Sequence, residues 1–300
     1  MTAPESLETI IDRVAGEAVT PEIQAMAAAV EARHEPGVAA VIAYGSAMRG
    51  VAASDTLIDL YVLTDSAEAV NRSRLARLGC RLVPPNVHYA EARSGTVILR
   101  AKYAILPFGL FARKMDRTVS NPYFWARFSQ PCRIVAARDE EVRRRLVTAL
   151  AEAVRTMIAA SLPLAWPGDD ALGLWQRGLA ETYRTELRPE SSDRAREIVA
   201  ANAAYYRAVT HAVLGPGWEA SGQPHADSLS LWRRRIAGKA LSVLRLLKAA
   251  FTFEGGADYV AWKIARHSGQ AIEVSPWQRR HPVLGALWLL PGLLRRGVLR

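Results

Sequence analysis

The sequence predicts an α+β fold, a mixed sheet flanked by helices followed by an all-α domain. Short β-branched and apolar runs bounded by Gly, Pro and Ser are confined to the part before about residue 137. From Asp139 onward apolar residues recur at three- and four-residue intervals, the period of a helix. The chain has 300 residues, 50% of them apolar, enough to bury a substantial core as one large domain or two modest ones. The composition shift places the divisions at 1–137 and 138–276, with 277–300 as a separate amphipathic C-terminal segment.

Leu7 to Ala18 and Pro21 to Arg33 carry helix spacing, and Thr20-Pro21 is a start signal for the second. Val38 to Tyr44 is apolar and runs into Gly45, which reads as a buried strand ending in a tight turn. Thr56 to Leu63 is the next strand. Asn86 to Tyr89, Val97 to Tyr103 and Arg133 to Ala136 complete the strand set. The later helices are expected over Glu140 to Ala160, Ala171 to Glu186, Ser192 to Leu214, Leu229 to Phe253 and Tyr259 to His267. Gly215 to Asp227, rich in Gly, Pro and Ser, is a loop.

A net charge of +10 calls for an anionic partner, whether nucleotide, nucleic acid or acidic lipid. Cys80 and Cys132 are the only cysteines, which excludes a disulfide framework and a clustered zinc site and fits a reducing cytoplasm. The N-terminal residues lack the basic and apolar regions of a signal peptide. The longest apolar stretch, Pro282 to Leu294, is interrupted by Pro291 and falls short of the roughly 20 residues that span a bilayer, so no transmembrane helix is expected.

Chemistry concentrates in Tyr44-Gly45-Ser46, followed thirteen residues after Ser46 by Asp59 inside the apolar run Leu57 to Leu63. A Gly-Ser turn frees backbone N–H groups and a hydroxyl for phosphate oxygens, and a strand carboxylate beside it can hold the Mg²⁺ that neutralises them. Polymerase-β-type nucleotidyltransferases use such a turn with two alternating strand carboxylates. Here Asp59 takes the second acidic place and Leu57 stands in the first; Asp55 is the substitute within reach, with Glu91 also possible. The plainer alternative is a turn glycine and an edge-strand Asp.

Several short segments, in order, resemble the family of mitochondrial-type phosphatidate cytidylyltransferases, as a bacterial-type relative. Tyr44-Gly45-Ser46 is similar to its Tyr-Gly-Ser turn, and Leu57 to Val62 to its apolar-apolar-Asp-apolar strand, which shares the missing first acid. Asn86-Val87-His88-Tyr89 resembles its Asn-x-x-His-Tyr segment, one residue shorter. Arg100 to Ile105 resembles its Lys-Tyr-Gly-Val strand. Trp125 to Ile134 is similar to its Ala-Gly-Arg-Leu-x-Lys-Pro-Val segment, with Ala126, Phe128 and Gln130 as departures. Together these cover roughly residues 40 to 136.

The resemblance implies a polymerase-β-like nucleotidyltransferase domain that makes CDP-diacylglycerol from CTP and phosphatidate with Mg²⁺. It implies Asp59 as metal ligand, beside which Asp55 is the substitute for the missing acid read from the turn itself, and Asp59, Lys102 and His88 as catalytic residues. Tyr44, Gly45, Ser46 and Tyr89 would bind nucleotide, and Arg127 and Lys239 substrate phosphate. Each also has an ordinary reading: His88 and Tyr89 as half-buried strand residues, Arg127 as a strand cap, Lys239 as part of a solvated basic helix running from Arg233 to Lys248. Lys102 in an apolar strand is more telling, because an unpaired ammonium there is costly without an anion.

Residues 277–300 interleave Trp277, Trp288 and leucines with Arg279, Arg280, Arg295, Arg296 and Arg300. That composition suits an anionic membrane surface, or else a final core helix with a basic tail. The resulting expectation is a cytoplasmic protein, peripheral on the inner face of the cell membrane, with no nucleic-acid partner. Two other readings stay open: the same chemistry on a non-lipid acceptor, or a degenerate site whose basic helices bind nucleic acid.

Overall fold

A computed structural model of the chain describes residues 5–45, 57–69, 73–95, 97–186, 192–268 and 274–280. Ser46 and Asp55, two of the expected ligands, and 281–300, most of the expected docking segment, lie outside the described residues.

Five strands form one mixed sheet in the order β3-β4-β2-β1-β5. They are β1 (Val38–Tyr44), β2 (Ile58–Thr64), β3 (Asn86–Ser94), β4 (Val97–Pro107) and β5 (Arg133–Ala137). β2 and β4 pair in parallel and the other neighbours are antiparallel. The central strands β1 and β2 are buried almost throughout, as their apolar runs require when both faces are covered. β3 and β4 run past the predicted Tyr89 and Tyr103. Their polar outer part, Glu91 to Ser94, is strand because β4 pairs it residue by residue out to Ser94 opposite Val97, and the Glu91–Arg100 ion pair at 3.2 Å bridges it.

α1 (Leu7–Ala15) and α2 (Pro21–Glu31) precede the sheet; the Ser6 hydroxyl caps the first by accepting from Thr9 N, and Pro21 opens the second. α3 (Arg74–Leu82), α4 (Phe108–Arg113) and α5 (Trp125–Phe128) fall between strands and were not foreseen. The last two have 6 and 4 residues, too few to display a period. α6 (Glu140–Ser161) starts on the Asp139 cap, with Glu140 and Glu141 in its first turn. α7 (Ala171–Thr185) starts on Asp170, and α10 (Ser228–Thr252) on Asp227 after the expected loop. α11 (Gly256–Ser268) and α12 (Pro276–Arg280) follow.

The single helix expected over Ser192 to Leu214 is instead two, α8 (Ser192–Ala201) and α9 (Ala203–Leu214). Asn202 leaves helical geometry between them, at φ −132° and ψ 31°, and its side-chain amide donates to Ile198 O at 3.1 Å. An Asn that bonds its own backbone competes with the helix, so the break has a local cause.

One continuous apolar core crosses residue 137, joining α1, α2 and the sheet to α6, α7 and α9. α6 forms one helical run with the short turn after it, Glu140–Leu164, long and apolar enough to cross a bilayer; 61% of its apolar window is buried inside the protein. It packs chiefly against α1, α5 and α7, and also touches β1, β5 and α9. Within the sheet, α2 lies against one face. The other is covered near its centre by α4 and α5, where Tyr61 meets Phe111 and Phe128.

Candidate active site

The turn after β1 and the start of β2 meet at one point. Tyr44 pairs with Asp59 across β1 and β2, and Gly45 turns the chain with φ +84°, a conformation that L side chains resist. A Cβ on Gly45 would lie 3.1 Å from Asp59 Oδ2, so the carboxylate also needs the missing side chain. Asp59 is the only residue of β2 that is not fully buried.

From there a single row runs across four strands. Asp59 is in register with Lys102 on β4, and Lys102 with Tyr89 on β3, so Tyr44, Asp59, Lys102 and Tyr89 share a face of the sheet. Lys102 Nζ stands 3.7 Å from Asp59 Oδ1, with both side chains partly exposed at 38% and 23%. An ion pair this open contributes little to stability, and its members remain free to exchange partners.

The Tyr44 end of the row leads to a second cation. Arg127 Nη1 donates to Tyr44 Oη at 3.3 Å, and its guanidinium carbon lies 5.3 Å from the Tyr44 ring centroid and 4.9 Å from that of Tyr123. Arg245 approaches the same Tyr123 ring at 3.8 Å, donates from Nε to Pro84 O at 3.2 Å, and keeps Nη1 buried with no hydrogen-bond partner. Burial lowers the Arg245 pKa, with Arg127 and the facing groups of Tyr123 and Glu186 acting in opposite directions on it. Edge-to-face contacts of Tyr61 with Tyr44 at 5.3 Å and Phe128 at 4.8 Å fix this wall.

Five expected site residues are therefore brought together: Asp59, Lys102, Tyr44, Gly45 and Arg127. Tyr89 stands in the row, but its hydroxyl donates to Glu91 at 2.7 Å and its ring lies 5.8 Å from that of Tyr259. Burial and then Glu91 raise its pKa. Lys239 is exposed on α10, next to Gly238, which packs on Thr185, and among the described residues it makes no hydrogen bond or ion pair with the row.

His88 is not brought to this group. One residue before Tyr89, it points through the opposite face, where it pairs in register with Tyr103 and is 1% exposed. There its ring lies 5.3 Å from Tyr103 and 6.3 Å from His34, whose Nε2 is 3.0 Å from Tyr103 Oη. Neither His88 nitrogen has a hydrogen-bond partner, the nearest charge being Glu254 at 3.7 Å. Burial pushes its pKa down to about 4, partly offset by Glu254. It is a neutral imidazole at pH 7.

Arg245 and Tyr123 are the members of the site that motif reading did not supply. A signal existed: the inward positions of α10 are small, as at Gly238, Ser242 and Ala249, and Arg245 falls among them. A separate cleft of about 290 Å³, lined by Asp170, Arg207, His211 and Glu219 among others, shares no residue with this group.

No family model matches the chain, and no curated protein matches it. Among solved structures it is similar to a nucleotidyltransferase-like protein from Exiguobacterium sibiricum, at 16% identity and a TM-score of 0.28, over 93% of this chain and 92% of that one. At that TM-score the chemistry has to be argued from the chain's own residues.

Proposed function

We propose that the protein is a CTP:phosphatidate cytidylyltransferase, which transfers CMP from CTP to phosphatidate and releases pyrophosphate. The observation that carries the reading is one row of side chains: the Asp59 carboxylate and the Lys102 ammonium 3.7 Å apart beside the Gly45 turn, with Arg127 bonded to Tyr44 at its end. CTP and phosphatidate themselves come from the motif resemblance.

The donor set suits Mg²⁺ of one kind. Mg²⁺ takes hard oxygen ligands, commonly one or two protein carboxylates with phosphate oxygens and waters making up the rest. Among the described residues no group of three or more His, Cys, Asp or Glu could cage an ion. Asp59 fits a magnesium that would arrive with the triphosphate, and Asp55 is the proposed second ligand. When bound, the ion supplies charge neutralisation across the phosphates.

The chain's own residues do the remainder. Gly45, with Ser46, presents turn N–H groups to the β- and γ-phosphates. Lys102 moves from Asp59 to a phosphate oxygen and offsets the charge that develops there. Arg127, assisted by Arg245, holds the phosphate of phosphatidate. An oxygen of that phosphate attacks the α-phosphorus of CTP in line, forming the new P–O bond as the bond to pyrophosphate breaks. A phosphomonoester is largely ionised at pH 7, so no protein base is needed. That agrees with the place of His88 on the opposite face of the sheet and leaves it a structural part. Docking on an anionic bilayer through 277–300 and a place on the inner face of the cell membrane belong to the same proposal.

The test is to incubate the protein with Mg²⁺, each labelled nucleoside triphosphate in turn, and vesicles with or without phosphatidate. Labelled lipid should form with CTP and phosphatidate together and with no other pairing. Absence of labelled lipid under every condition would overturn the reading; label on a non-lipid acceptor would replace it with the broader transferase.

A further inference from the structure

α10 is turned the opposite way from an ordinary surface helix. Three of its six basic residues point inward: Arg235 donates to both oxygens of the buried Glu181 at 2.8 and 2.6 Å, Arg245 bonds Pro84 O, and Lys248 donates to Val83 O at 2.6 Å. Its large apolar residues point outward, with Trp232 57%, Ile236 48%, Leu244 47% and Leu247 57% exposed. α3 does the same. Leu75, Leu78 and Leu82, three and four apart, are 69%, 53% and 68% exposed, while its small residues Ala76 and Cys80 are buried. The two helices adjoin where a Cβ on Gly79 would sit 3.2 Å from Lys248 Cδ.

A surface helix ordinarily buries its apolar stripe, and a contiguous exposed apolar patch marks an interaction site. Charge says what kind. Neither α3 nor α10 contains an Asp or Glu, and Arg74, Arg81, Arg233 and Lys239 are exposed around the leucines. Leu and Trp bordered by these cations complement an anionic lipid interface, where apolar side chains enter the headgroup boundary and cations meet lipid phosphates.

We propose that the outward faces of α3 and α10 form a docking surface for an anionic bilayer. The choice of a bilayer rests on the lipid reading of the active site. The same helix that would lie on the membrane carries Arg245 on its inner side, against the Tyr123 ring shared with Arg127. A helix with its side chains is about 10 Å across, and the polar layer of a bilayer roughly 5 to 7 Å on each side. A helix seated at that boundary thus brings a lipid phosphate close to the depth of the Arg127–Arg245 pair.

The test is sedimentation of the whole chain with vesicles of phosphatidylcholine alone, or with phosphatidylglycerol or phosphatidate added, in the absence of nucleotide. Wild type should bind the anionic vesicles. Leu244→Glu with Leu247→Glu should weaken that binding at least tenfold, and Leu75→Glu with Leu78→Glu several-fold, with thermal unfolding as the folding control; if one pair fails to fold, the other carries the test. No binding by wild type, or equal binding by wild type and both folded pairs, would overturn the proposal, the latter placing docking elsewhere, as in 281–300. A dimer that the substitutions dissociate while vesicle binding is unchanged would show a face for a second copy instead, and would also overturn it. Turnover of a short-chain, water-soluble phosphatidate separates the two proposals: it should be unchanged in the face variants. Its absence in wild type, beside face-dependent vesicle binding, would sink the catalytic reading and leave the docking surface standing.

Discussion

The two faces of β2, β4 and β3 carry different chemistry one residue apart. On one, Asp59, Lys102 and Tyr89 line up beside the Gly45 turn, with Lys102 held to Asp59 by a partly exposed ion pair. On the other, Leu60, Tyr103 and His88 line up under α2, where His88 is buried, neutral and without hydrogen bonds. The period of a strand puts neighbours on opposite sides, so two adjacent motif residues need not serve one site. A polar residue on the first face keeps partial exposure and can exchange partners. A polar residue on the second pays desolvation and changes what the fold tolerates in acid.

The largest expected effect lies on the first face. Asp59→Asn should lower turnover by about a thousandfold or more, roughly 4 kcal/mol of transition-state stabilisation, with the unfolding temperature little changed because Asp59 is partly exposed. Full activity in the assay above would place the metal elsewhere.

Next is the second face. The His88 pKa falls from 6.5 to about 4 in the folded protein. A cation-forming group depressed in this way contributes stability that is fully present above pH 6.5 and is lost as pH falls from 6.5 toward 4, because the unfolded chain takes up the proton first. The loss is on the order of 3 kcal/mol at about 1.4 kcal/mol per pKa unit. His34, also lowered by burial, adds in the same direction. His88→Phe removes two unpartnered nitrogens and should flatten this acid limb while leaving turnover within about threefold. Denaturant titrations between pH 4 and 7 check the first outcome and the lipid assay the second. A large loss of turnover in a folded His88→Phe would erase the distinction between the faces.

Lys102→Gln should lower turnover by roughly ten- to a hundredfold, about 1.4 to 2.7 kcal/mol, with a smaller effect on stability, since its exposed ion pair is worth little. Unchanged turnover would remove it from the site. The smallest effect is expected at the turn. Gly45→Ala should cost about 1–2 kcal/mol of stability by forcing an L side chain to φ +84°, and chemical denaturation would reveal it. It should also slow turnover, since the new Cβ would crowd Asp59 Oδ2 at 3.1 Å.

Much of the frame was legible in sequence. Val38 to Tyr44 is apolar and β-branched enough to be a strand in any context, and Asp139 before a long apolar-periodic run is a helix start wherever it lies. Gly45 and Asp59 were legible because few residues suit a tight turn or an acid in an apolar strand. The break at Asn202 and the short α4 and α5 were not, because a one-residue break or a single helical turn leaves no period. His88 beside Tyr89 misled, since a motif records adjacency in the chain and not the side of the sheet. Arg245 was hidden among six basic residues of α10, Arg233 to Lys248, and only packing distinguishes those that face in.

By itself, then, the sequence determined the class of fold, the positions of its strands, and a glycine turn followed by one strand carboxylate, because these depend on backbone preference and local apolar pattern. The tertiary structure alone decided that Asp59, Lys102, Tyr44 and Arg127 converge while His88 does not, and that α3 and α10 turn their leucines outward. Register across four strands and the rotation of a helix about its axis are set by long-range packing, which leaves no local mark in the chain.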